Sequence, residues 1–184
     1  LTSSPIKSLL IKIAIPSMTG SLFQTLFNIV DTFYAGKISP EALAALAKAF
    51  PLYFLIIAAG IGIVAGCNSL IANAIGIKNS LLASIYSYHS IIYAILLSFF
   101  ITFIGTFFAD NLLKIMGSSY QSIILSKQYL DIIFYGTIIF LTLTALNSIL
   151  YAQGDTKTYR NVLFFGVIAN IILNPIFIFG FLFI

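Results

Sequence analysis

Charge is what this sequence has least of. Nine of its 184 residues are Lys or Arg and five are Asp or Glu, 8% together, against 60% apolar residues. Mean hydropathy is +1.09. A soluble domain carries about 25% charged residues, so this chain cannot cover a water-facing surface. That excludes a soluble single-domain enzyme and a disordered tail. The net charge of +4 is scattered, with no run of Lys/Arg, and leaves no footprint for nucleic acid. One cysteine, Cys67, excludes an internal disulfide and a thiolate zinc cluster, and one histidine, His89, excludes a multi-His metal site. Gly-x-Ser-x-Gly, His-Glu-x-x-His and the Walker Gly-x-x-x-x-Gly-Lys-Ser/Thr are all missing from the sequence. The expectation is a non-enzyme without a cofactor. Active transport by such a chain would draw on an ion gradient or a separate ATPase.

Long hydrophobic runs are what it has instead. About 20 apolar residues cross the hydrocarbon core as a helix. Five stretches qualify, at 9–35, 50–75, 82–108, 130–151 and 162–184. They are continuous, without the ten-residue alternation of barrel strands. The fold class is therefore all-α, a polytopic helical bundle forming a single unit over 1–184. Polar breaks separate the spans at Gly36–Glu41, Gly76–Ser80 and Gly154–Lys157. Asp110 to Gly117 reads as a short capped surface helix. The first stretch reads as a span rather than a cleaved signal, because it is long, holds Pro16 and ends in Asp31. The sequence starts at Leu1 and stops inside an apolar run, which reads as a piece of a longer protein. With the N-terminus inside, five cations (Lys7, Lys12, Lys78, Lys157, Arg160) face four outside (Lys37, Lys48, Lys114, Lys127), favouring a cytoplasmic N-terminus in an inner (plasma) membrane.

Polar side chains inside the spans carry the functional signal, since they are costly against lipid. Ser17, Ser21, Gln24, Asn28 and Asp31 recur every three or four residues, one face of a helix, opposite Leu22, Ile29 and Phe33. A stripe ending in a carboxylate fits a wet cavity or an ion path. Pro16 removes a backbone hydrogen bond and bends that helix. In span five, Asn170 and Asn174 form an i, i+4 pair before Pro175, which frees the carbonyl of Ile171. This pair suits either a small-cation site shared with Asp31 or an interhelical amide clamp. Asn147 is deep enough in span four to want a partner. Tyr129 reads as an interfacial residue beside a Lys127/Asp131 i, i+4 ion pair. Gly62-x-x-x-Gly66 in span two is a close-packing signal.

Six motifs in order add a resemblance that covers nearly the whole chain. They are Ile15-Pro16 with Phe27-Asn28-Ile29-Val30-Asp31-Thr32-Phe33, Glu41-Ala42-Leu43-Ala44-Ala45-Leu46, and Asn68 to Gly76. Leu113-Lys114-Ile115-Met116-Gly117, Ala152-Gln153-Gly154-Asp155-Thr156-Lys157 and Asn170 to Pro175 follow. The chain resembles the N-terminal half of a multidrug and toxic compound extrusion (MATE) transporter. That resemblance implies five helices of a six-helix lobe that faces a second, C-terminal lobe across a cleft. It also implies export of small organic cations across the bilayer in exchange for Na⁺ or H⁺. Asp31 falls on the family's first-helix carboxylate, tied to ion coupling, and Pro16 on its bending proline. Gln24, Tyr129, Asn147 and Asn170 fall on cavity-lining positions, which Asn28 would join. Asn174 departs from the pattern, standing where the family often has Asp. A single Asp among amides lacks the like-charge partner that favours proton binding and suits a Na⁺ site of Asp31, Asn170 and Asn174 as well as it suits H⁺.

Two rival readings stay open. One is a lipid-linked oligosaccharide or polysaccharide flippase of the same superfamily, disfavoured because the span interiors hold no basic residue beyond Lys12 at the entrance. The other is a non-functional truncated remnant.

Overall fold

The computed structural model describes residues 6–116 and 120–180. Among them lie five helices and no strand: α1 (Ile6–Ile38), α2 (Pro40–Gly76), α3 (Ser80–Ile115), α4 (Tyr120–Ala152) and α5 (Lys157–Phe179). All five are long and apolar enough to cross a membrane, so the chain is an all-α integral membrane protein as expected.

The helices outrun the predicted spans for a geometric reason. The 37 residues of α2 extend about 55 Å at 1.5 Å per residue, and hydrocarbon is about 30 Å thick. Helix ends therefore continue into the headgroup region, where polar side chains meet water. This corrects the reading of Asp110 to Gly117 as a separate surface helix. Asp110 to Ile115 form the last turns of α3, and Gly117 lies outside the described residues. The expected break at Gly36–Glu41 shrinks to Ser39. Its Oγ accepts from the Ala42 N–H at 3.0 Å, and Pro40 occupies the first helical position, where its missing N–H loses nothing. Between α2 and α3, Lys78 takes φ +58, and Asn79 caps α3 by accepting from Leu82 N–H at 3.0 Å. α5 begins five residues before the predicted span, because Asp155 caps it. The Asp155 carboxylate accepts from the N–H groups of Lys157 and Thr158, each at 3.0 Å, and from the Thr158 hydroxyl. Residues 181–184 of the predicted fifth span lie outside the described residues.

The chain divides into two compact units, residues 1–43 with 154–184 and residues 44–153. In the first, α1 and α5 pack together in parallel. Gly20 stands opposite Leu163, Phe23 meets the Phe164 ring at 5.3 Å between centroids, and Tyr34 meets Phe179 at 6.4 Å. Leu22, Ile29 and Phe33 are exposed on the other side, as the helical spacing requires.

The second unit joins the rest of α2 to α3 and α4. One apolar cluster gathers Ala49, Leu52 and Ile56 with Ala109, Leu113, Leu130 and Phe134, and another gathers Ile63, Ala94, Leu141 and Ala145. The order of these contacts makes α3 antiparallel to both neighbours. Two hydroxyls tie the helices across: Thr102 Oγ1 donates to Phe134 O at 2.6 Å, and Ser126 Oγ to Ala45 O at 3.0 Å. Gly105 admits the Phe134 ring, which a β-carbon there would strike.

Two expectations are corrected in this unit. Gly62 and Gly66 have nothing among the described residues within 4 Å of a would-be Cβ, so they form no helix contact here. Gly60 packs closely instead, with Phe140 Cε1 3.2 Å from its would-be Cβ. Lys127 does not pair with Asp131 but crosses to α3, where its Nζ lies 2.8 Å from Asp110 Oδ2. An i, i+4 pair gains little on an exposed helix, and the α3–α4 packing brings a carboxylate from another helix within reach.

Candidate functional site

Asp31 sits on α1 three turns beyond Gly20, partly buried. Facing it on α5 are Asn170 and Asn174, one turn apart and also partly buried. Their Nδ2 atoms donate to the same oxygen, Asp31 Oδ1, at 2.7 and 2.9 Å. The three residues that the sequence grouped as an ion site are therefore in direct contact. The single ion pair among the described residues is Lys127–Asp110, so among them Asp31 is met by amide donors and not by a cation. Such charge-assisted bonds are about twice as strong as neutral ones.

One atom of the cluster is unsatisfied. Asn170 Oδ1 is buried and has no hydrogen-bond partner among the described residues. Leaving a buried acceptor unmade costs about 1–3 kcal/mol, and such atoms mark strain or a place for a water or an ion. A carboxylate, this amide oxygen and a second amide that can turn its oxygen inward make a donor set for a hard monovalent cation. No group of three His, Cys, Asp or Glu exists among the described residues. Pro175 directly follows Asn174 inside α5, and Pro16 lies about four turns before Asp31 inside α1.

The rest of the α1 stripe behaves differently. Ser17 and Ser21 donate to Ile13 O and Ser17 O, at 2.9 and 3.2 Å, and so are satisfied within their own helix. Thr19, Thr25 and Thr32 do the same. Hydroxyl back-bonding of this kind bends helices, and it is concentrated around and beyond Pro16. Gln24 is partly buried and Asn28 exposed. Neither hydrogen-bonds to Asp31 among the described residues. Tyr129 and Asn147 belong to the second unit. Tyr129 is 37% exposed, whereas Asn147 is buried with its Oδ1 lacking a partner. Thr137, Thr144 and Ser148 on the same helix are satisfied by backbone carbonyls. Asn68 on α2 has the same buried, unpartnered oxygen. Its signal in the sequence is an amide within an apolar run, which the motif reading absorbs without singling it out.

The MatE family profile matches residues 16–176. The chain belongs to the MatE family. Among its relatives is the FAD transporter of Shewanella oneidensis, 28% identical over 180 residues, which covers 98% of this chain and 40% of that protein. The probable multidrug resistance protein YoeA of Bacillus subtilis is 30% identical, covering 90% of this chain and 36% of its own length. The solved structure of a MOP superfamily transporter from Pyrococcus furiosus superposes with a TM-score of 0.89 at 32% identity, over 96% of this chain and 39% of that one. The chain thus spans about two fifths of the length of the MatE proteins it matches. Two of these are named as transporters and the third as a probable multidrug resistance protein, in line with the absence of enzyme signatures in the sequence.

Proposed function

We propose that this chain is the ion-coupling lobe of a secondary antiporter that exports small organic cations across the plasma membrane in exchange for Na⁺ or H⁺. The observation that supports this most is the meeting of Asp31 with Asn170 and Asn174. A carboxylate within a membrane-spanning helix is a functional hypothesis by default, and here it links two helices.

The mechanism follows from what these side chains can hold. Asp31 Oδ1 takes both amide N–H groups and ties α1 to α5. Na⁺, if bound here, would be held by the Asp31 carboxylate and by amide oxygens of Asn170 and Asn174, and Asn170 Oδ1 would gain a partner. Arrival of a proton turns the carboxylate itself into a donor. Either event replaces two charge-assisted bonds between α1 and α5. Helix α1 can respond because Pro16 removes its hydrogen bond to Lys12 O, and a conformational change needs only a differential interaction with the two states. Coupling to substrate would be completed with a second, C-terminal lobe. Gln24 and Asn28 would meet the substrate in the first unit, and the N-terminus would lie in the cytoplasm.

The test is export of a fluorescent organic cation from proteoliposomes of the full-length protein, under imposed Na⁺ or H⁺ gradients. Asp31→Asn should abolish gradient-driven export while leaving membrane insertion intact. Unchanged export by that variant would remove Asp31 from the mechanism. The same vesicles loaded with FAD decide the sign of the cargo, since one relative is named for that anion. Driven FAD export with no organic-cation export would replace the cargo half of this reading.

A further inference from the structure

The second unit holds a groove whose chemistry differs from the Asp31 site. It has a volume of about 160 Å³ and is lined by apolar side chains of α2, α3 and α4. Its floor is made of Leu52, Ile56 and the Phe134 ring, exposed by 6%, 1% and 3%. Its rim is open, with Leu55, Phe100 and Ile104 exposed by 63%, 61% and 39%. The depth of the floor depends on Gly105. Because no β-carbon stands there, the Phe134 ring sits back against α3, while Thr102 pins the α4 backbone behind it. An apolar cavity of about 150 Å³ accepts benzene, so this groove takes a hydrocarbon segment of about that bulk.

One end of the groove is charged. Lys48 precedes Leu52, Leu55 and Ile56 by four, seven and eight residues, which puts it on the groove-lining face of α2. Lys48 makes no ion pair among the described residues, whereas Lys127 is taken up by Asp110. Its depth is also right. Centring about 30 Å of hydrocarbon on an α2 of about 55 Å puts the boundary about eight residues from Pro40, at Lys48. A hydrocarbon slot along the membrane-spanning part of α2, with an unpaired cation one turn beyond its end at headgroup depth, matches one molecule in charge and shape.

We propose that this groove binds an acyl chain of an anionic phospholipid, with the lipid phosphate on Lys48. The site is specific for anionic headgroups because the slot alone is apolar and any lipid tail fits it. Lys48 supplies the discrimination.

The experiment places the full-length protein in nanodiscs with phosphatidylglycerol carrying a photoreactive group at mid-chain. Crosslinks are then mapped by mass spectrometry. Label should concentrate on the α2 and α3 rim around Leu55 and Ile104 rather than on the exposed Leu22–Ile29 face of α1. Lys48→Gln should lower that label about fivefold, the weight of one Lys at an anionic surface, to the level given by a phosphatidylcholine probe. Ile104→Trp, which fills the mouth from an exposed position, should remove it for both probes. Equal labelling of the α1 face overturns the proposal, as does equal labelling by the two probes in the unaltered protein. Absence of label at the rim also overturns it, since the groove would then be covered by another part of the protein.

Discussion

Asn170 Nδ2 lies 2.7 Å from Asp31 Oδ1, joining two helices across 139 residues of sequence. The bond orients the amide so that its own oxygen points where no described residue answers it. The same contact therefore anchors α5 to α1 and leaves one buried amide oxygen without a partner among the described residues.

Truncating Asn170 removes that oxygen together with one of the two amide donors to Asp31, so the ion and the α1–α5 contact should both weaken. Asn170→Ala is expected to raise the Na⁺ concentration for half-maximal export about tenfold, because a hydrogen bond or ligand to a charged group is worth about 1.5–3 kcal/mol. Export against Na⁺ titration in proteoliposomes reads this directly. A wild-type Na⁺ dependence in the variant would show that the amide is only a clamp.

Asn174→Asp should change which ion drives export. It puts a second carboxylate on Asp31, where a donor now sits at 2.9 Å, and two carboxylates in one site do not both stay ionised cheaply. Such a pair is relieved by sharing a proton between its carboxylates. The ratio of H⁺-driven to Na⁺-driven export should rise severalfold, and an unaltered ratio would count against shared ion binding by these residues.

Gly105→Ala should destabilise the second unit by about 1–3 kcal/mol through overpacking, because the new methyl group meets the Phe134 ring. Thermal unfolding in detergent measures it. Phe134→Leu in the same chain should recover part of the loss. Loss without recovery would place the strain elsewhere.

Asp155 gives a pH-dependent contribution outside the membrane-spanning helices. Its hydrogen bonds from the Thr158 hydroxyl, then from the Thr158 backbone, hold its carboxyl below the ordinary 3.8. A carboxyl lowered in the folded state stabilises above its unfolded value and loses that stabilisation as the pH falls through the folded one. Asp155→Ala should therefore cost about 0.5–2 kcal/mol at neutral pH, as for other helix caps. The gap between variant and wild type should close below about pH 3.8. A constant gap across that range would assign the effect to packing.

The spans and the Asp31 site were legible because each is an outlier against its background. Runs of apolar residues have one stable answer in lipid, and a carboxylate or amide within them demands a partner. What the sequence concealed depended on three-dimensional neighbours. Lys127 has an acid one helical turn away and another on α3, and only packing chooses Asp110. The Gly62/Gly66 spacing was a sound contact signal, yet the close approaches occur at Gly60 and Gly105, where the partner is an aromatic ring on α4 rather than a helix backbone. Asp110 to Ile115 looked like a separate element because polarity changes there, but the backbone needs no break where a helix leaves the bilayer.

The parallel pairing of α1 and α5 also governs how the protein is made. At about 5–20 residues per second, the ribosome takes about 7–28 s to reach Asn170 after Asp31, given their separation of 139 residues. Throughout that interval α1 must reside in or beside the translocon with its carboxylate uncompensated, at an insertion penalty of up to about 2.5–3.5 kcal/mol. The exposed side chains of Leu22, Leu26 and Ile29 supply the greasy counterweight that lets the helix wait for its mate.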